Sequence, residues 1–144
     1  MAVSFSKFQS FVQNLGRKVF NLNADTLKLA LSNTAPNAAT ANQLSDITQI
    51  SAANGYTSGG TTVAGTAYSQ SGGTATLIGN AVTFTASGGS MGAFRYVVLY
   101  DDTATNKELI GYWDYGSSIT LNSGDSAVIK PSGSTTGGSI LTIS

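Results

Sequence analysis

The chain has 144 residues, with seven Lys/Arg against seven Asp/Glu and neither His nor Cys; only 10% of it is charged, where an average soluble domain carries roughly 25%. Disulfides, Cys-liganded metals and His-based catalysis are thereby excluded, and zero net charge gives no support to nucleic-acid binding through a large basic surface. With 19 Ser, 18 Thr and 17 Gly beside 41% hydrophobic residues, the composition is that of one folded, Gly/Ser/Thr-rich and mostly β domain.

The N-terminal segment is the exception. Residues 1–30 hold four bases and one acid, residues 31–144 three bases and six acids, so a segment of about +3 precedes a body of about −3. Phe5, Phe8, Val12, Leu15 and Val19 follow helical spacing, with Lys7, Gln13, Asn14 and Arg17 on other faces. With Ser4 as N-cap and Gly16 near the end, this predicts a helix from residue 4 to between 16 and 19. Lys7, Arg17 and Lys18 interrupt the apolar residues, so neither a signal-peptide h-region nor a membrane span is expected.

Beyond residue 25 the period changes to two. Leu27, Leu29 and Leu31 alternate with Thr26, Lys28, Ala30 and Ser32, which predicts a half-buried strand. A loop rich in Asn, Ala and Thr follows around Pro36, and QLSDITQIS suggests a short helical turn. NGY and SGG mark turns, and residues 61–86 read as strands broken at Ser71–Gly73 and Gly79–Asn80. FRYVVLY (94–100) is apolar on both faces and is expected at the centre of a sheet. LIGYWDY (109–115), SITL, SAVIK and SILTIS complete seven or eight short strands. The prediction is a single all-β domain, a β-sandwich or jelly roll over 25–144, preceded by a helical segment over 1–20. Its expected core is Leu27, Leu29, Leu31, Val82, Phe84, Val97, Leu99, Ile110, Ile119, Leu121, Val128 and Leu141.

Few residues offer chemistry. GGSMG (Gly88–Gly92) matches the G-x-S-x-G nucleophile elbow around Ser90, but that elbow needs a following helix and a His base. Here a strand follows and the chain has no His, so a glycine turn is the expected role. Asp101, Asp102, Asn106 and Glu108 in the loop DDTATNKE could offer oxygens to a hard cation, yet these residue types are ordinary loop formers. Asp114, between Trp113 and Tyr115, is either a carboxyl raised by apolar neighbours or a polar residue on an edge strand. Tyr96, Tyr100, Tyr112, Trp113 and Tyr115 are either core or a stacking platform for a sugar or partner. Phe5, Phe8 and Phe11 either pack on the sheet or, with Arg17 and Lys18, dock on a partner.

The blocks F-x-x-F-x-x-x-L-G-x-K-V, DTLKLALSNTAP, NGY, FRYVVLYDDTATNKELIGYWDYG and SSITL, in this order from Phe5 to Leu121, resemble a family of small structural proteins of tailed bacteriophages, described as head decoration, cement or minor virion proteins. The resemblance implies a non-enzymatic virion component, made in the host cytoplasm and free of cofactors and metals. Its expected partners are the major capsid protein or other virion proteins and further copies of itself as a homo-oligomer, with no nucleic acid and no membrane. The candidate contact residues are Phe5, Phe8, Phe11, Arg17 and Lys18, with Tyr112, Trp113 and Tyr115 as the second choice. A tail, neck or fibre-associated component and a carbohydrate-binding β-sandwich are the alternative readings.

Overall fold

The computed structural model describes residues 5–131 and 138–144. The fold is all-β with one α-helix. Among the described residues ten strands run in the order β1 (Phe5–Lys7), β2 (Leu27–Ser32), β3 (Thr61–Thr62), β4 (Ala67–Ser71), β5 (Thr74–Gly79), β6 (Val82–Thr85), β7 (Met91–Asp101), β8 (Leu109–Leu121), β9 (Ser126–Ile129) and β10 (Gly138–Ile143); the helix α1 (Gln9–Gly16) lies between β1 and β2. They form an antiparallel five-stranded sheet β1-β8-β7-β2-β3, a three-stranded sheet β10-β5-β4 and a ribbon β6-β9.

The alternating leucines of β2 explain the main core. Leu27, Leu29 and Leu31 point to one face of the large sheet with Val97 and Leu99, and pack against Leu77, Val82, Phe84, Ile129, Ile140 and Leu141 from the smaller sheets. The opposite face carries a second cluster, with Ala30 and Val98 beside Tyr100, Leu109 and Phe8, closed by Ala41 and Ile47 of the 33–60 loop. β7 is therefore covered on both faces and flanked by β8 and β2, the central position its sequence predicts.

The long loop is tied to the edge of β2 beyond its short pairing with β3. The Ile50 N–H donates to the Leu31 carbonyl at 3.0 Å, and the Leu31 N–H donates to the Tyr56 hydroxyl at 3.0 Å. The helical turn foreseen in QLSDITQIS is a 3₁₀ turn at Leu44–Asp46, where Asp46 Oδ2 accepts the N–H groups of Asn42 and Gln43. Gly60 needs its glycine: φ is +75°, and a Cβ there would collide with the Leu29 backbone.

Four expectations are corrected. The predicted helix from residue 4 gives way to strand β1, an extended Phe8 (φ −71°, ψ 143°) and only then α1; Ser4, its expected cap, lies outside the described residues. LIGYWDY and SITL, read as separate strands, are one 13-residue strand that runs on through Gly116–Ser118. Val128, expected in the core, is 51% exposed, because β9 turns Ile129 inward opposite Val82 and Val128 outward opposite Thr83. Ile119 is only half-buried.

α1 ends without a glycine at its left-handed position. Lys18 takes that conformation (φ 66°), the Val19 N–H donates to the Asn14 carbonyl and the Lys18 N–H to the Leu15 carbonyl, the bond pattern of a Schellman ending.

Candidate interaction surface

The residues proposed for docking divide sharply by burial. Phe8 and Phe11 are fully buried and Trp113 nearly so, each held inside a core cluster. Phe5 packs on Trp113 with ring centroids 4.9 Å apart, and Phe8 on Tyr112 at 5.3 Å. These phenylalanines anchor the segment to its own sheet, which removes Phe8, Phe11 and Trp113 from any accessible surface. Arg17 and Lys18 are exposed, with Lys7. Val12, counted in the buried stripe, is 62% exposed. The exposed residues of the segment are thus Lys7, Arg17 and Lys18 with Val12, Gln9, Gln13 and Gly16, three of them basic and only Val12 a large apolar side chain.

The tyrosines form no flat platform. Tyr96 and Tyr100 are buried, while Tyr112 and Tyr115 are half-buried. The rings of Tyr96 and Tyr112 meet edge to face at 6.4 Å, and the Tyr100 hydroxyl donates to the Gly59 carbonyl at 2.6 Å. Asp114 is not raised by its apolar neighbours. The Arg95 guanidinium bonds both of its oxygens at 2.7 and 3.0 Å, the Gly116 N–H adds a third bond, and together they hold the carboxyl below its ordinary range.

Ser90 sits in the turn entering β7 and is exposed; its carbonyl accepts the Asn54 side-chain N–H at 2.8 Å. A strand follows it, so the elbow geometry is missing. In the 101–108 loop the side-chain oxygens of Asp102 and Glu108 are engaged, whereas Asp101 Oδ2 is buried without a donor. Asp102 is bonded by Lys107 at 2.6 Å and approached by Lys28 at 3.6 Å, which lowers its pKa, while the Glu108 carboxylate accepts the backbone and side-chain N–H groups of Asn106. Among the described residues no group of three or more Asp, Glu, His or Cys could hold a metal ion, and no helix is long and apolar enough to cross a membrane. A cleft of about 320 Å³ between Thr34–Asn37 and Asp46–Thr48 is lined by a mixture of polar (Thr34, Asn37, Thr40, Thr48) and apolar (Ala35, Pro36, Ala41, Ile47) residues, and its one carboxylate, Asp46, caps the neighbouring turn.

A long uncharged stretch crosses several elements and shows only in the sequence as a whole. From Ile47 to Phe94, 48 consecutive residues, there is no Asp, Glu, Lys or Arg. The stretch builds β3 to β6 and the first residues of β7. It includes β4, the outer strand of the three-stranded sheet, whose Ser69, Gln70 and Ser71 are exposed and whose outer edge pairs with no strand among the described residues. Natural edge strands are ordinarily guarded by charge, proline or a bulge. β4 has neither charge nor proline.

Compared with known protein families, curated proteins and solved structures, the chain matches none of them.

Proposed function

We propose that this is a non-enzymatic virion structural protein, a head decoration or cement protein that binds the capsid and further copies of itself. The observation that carries the interaction reading is the uncharged edge of β4. Apart from the Tyr68 N–H, which donates to Asn23 Oδ1 at 3.4 Å, its edge N–H and C=O groups lie within a chain segment without a single Asp, Glu, Lys or Arg to repel an incoming strand. The exposed Lys7, Val12, Arg17 and Lys18, taken as one basic face against a mildly acidic body, would supply a second and electrostatically steered contact. The sequence resemblance to small phage virion proteins supplies the particle. Weak contacts repeated over a lattice stabilise it by mass action.

The test is to offer the purified protein to heads that lack it. Removing residues 1–20 would be uninformative, because it deletes the buried Phe8 and Phe11. Ser69→Lys places a charge on the β4 edge and leaves the core intact. Loss of head binding by a folded Ser69→Lys protein is the expected result. Failure of the unaltered protein to bind heads overturns the proposal. A complement of only about a dozen copies per particle, too few for a lattice-wide cement, moves the protein to the neck or tail.

A further inference from the structure

Asp101 ends β7 and is fully buried. Its Oδ1 accepts the N–H groups of Thr103 at 2.9 Å and Ala104 at 3.1 Å. Its Oδ2 is buried and has no donor. The side chain that meets Asp101 is another carboxylate, Asp25, in the turn leading into β2. Asp25 Oδ2 itself accepts the Asn21 N–H at 2.7 Å. Ionised carboxylates only accept, so no hydrogen bond joins the two while both are charged. One proton supplies the missing donor and relieves the repulsion.

Among the described residues, the two lysines at this junction do not do this. Lys28 on β2 and Lys107 in the 102–108 loop both turn to Asp102. The Glu108 carboxylate is held by Asn106, and its carbonyl accepts the Asp101 N–H at 3.0 Å. The Tyr100 hydroxyl donates to Gly59. A calcium ion would want six to eight oxygens, whereas each of these carboxylates already has one oxygen occupied by backbone N–H groups.

We propose that Asp25 and Asp101 form a proton-dependent clasp, in which a shared proton holds the 21–26 turn against the β7–β8 loop and its loss loosens that turn and the start of β2. Two bonds cross the same junction: the Thr26 N–H donates to Thr103 Oγ1 at 2.9 Å, and the Asp102 N–H to the Thr26 carbonyl at 2.8 Å. Burial first, and then the Asp25 carboxyl, push the Asp101 carboxyl from 3.8 up to about 7, against the two amide bonds that favour its charged form. The sign follows. A folded-state pKa above the open-state value stabilises the closed clasp fully below about pH 4, and this is lost as the pH rises through about 7.

Amide exchange protection at Thr26 and Asp102, corrected for intrinsic rates, reads the clasp directly. In the unaltered protein it is expected to fall about tenfold per pH unit from about pH 5 and to level off above about pH 7. Asp25→Asn offers Asp101 an amide donor at every pH and removes the like charge, so with only burial still raising Asp101 its protection is expected to fall clearly less. An identical fall in both proteins overturns the proposal. So does recovery of protection on adding calcium at about pH 8, which would make the site a cation site. Should Asp25→Asn fail to fold, the carboxyl-carbon titration of Asp101 in the unaltered protein decides: a midpoint near 7 supports the clasp, and one below about 5 sinks it.

Discussion

The ring of Phe5 fills the space that a Cβ on Gly111 would need, and the Ser6 carbonyl closes the same space from the backbone side. Lys7 pairs with Gly111 in the β1–β8 ladder, so the glycine lets β1 lie close against β8 and lets Phe5 reach Trp113. Gly111→Ala is expected to cost about 1–3 kcal/mol, as overpacking in tight sites does. The cost should shrink when Phe5→Ala is added, because part of the clash is then removed. Urea unfolding of the two single variants and the double variant measures this coupling. Strictly additive effects would mean that the ring and the glycine are independent.

Phe5 also shows why the N-terminal segment departs from its helical pattern. Phe5 and Phe8 are three apart, a spacing that puts both on one face of a helix. Three is also an odd number, and in extended chain it sends side chains to opposite faces. The structure takes the second option: Phe5 packs on the main core and Phe8 in the cluster on the far side of the sheet. Two aromatics are too few to separate these periods. Where apolar residues fill both parities, as in FRYVVLY, or alternate over six residues, as in TLKLALS, position and burial are legible directly. The Asp25–Asp101 contact is not legible at all, since it joins residues brought together only by the β2–β7 register, Leu27 opposite Asp101.

Lys18 is expected to be replaceable with a gain. A non-glycine residue in the left-handed region costs of order 1 kcal/mol, and glycine avoids most of that strain. Lys18→Gly should therefore raise stability by up to about 1 kcal/mol, while removing one charge from the basic face. If head binding weakens although the fold is firmer, the charge matters for docking. A destabilised Lys18→Gly protein would show that the Lys18 side chain contributes packing that outweighs its backbone strain.

Val128 and Ile129 form a matched pair for the β9 register. Ile129 is 3% exposed and Val128 51%. Ile129→Ala should cost about 2–5 kcal/mol as a core truncation, and Val128→Thr should stay within about 0.5 kcal/mol as a surface change. Chemical denaturation of both variants checks the assignment. A reversed order would place β9 one residue out of register, with Val128 facing the core.

Tyr56 completes the edge of β2 where β3 no longer reaches. Its hydroxyl accepts the buried Leu31 N–H at 3.0 Å and donates to Gln49 Oε1 at 2.7 Å; the same Gln49 oxygen accepts the Gly59 N–H. Tyr56→Phe leaves the Leu31 donor without a partner, and the expected cost is about 1–3 kcal/mol. Burial pushes the Tyr56 hydroxyl from 10.0 up to about 12, with the Leu31 bond pulling the other way. Because the folded value is the higher one, this contribution to stability is complete below about pH 10 and is lost as the pH rises through about 12. Burial also raises Tyr100 and Tyr115, so the unaltered protein should weaken steeply in alkali and the Phe variant less steeply. Urea midpoints at about pH 9 and about pH 11 measure both slopes. Equal slopes would mean that the Tyr56 hydroxyl ionises as readily in the folded protein as in the unfolded chain, which its buried bonds to Leu31 and Gln49 oppose.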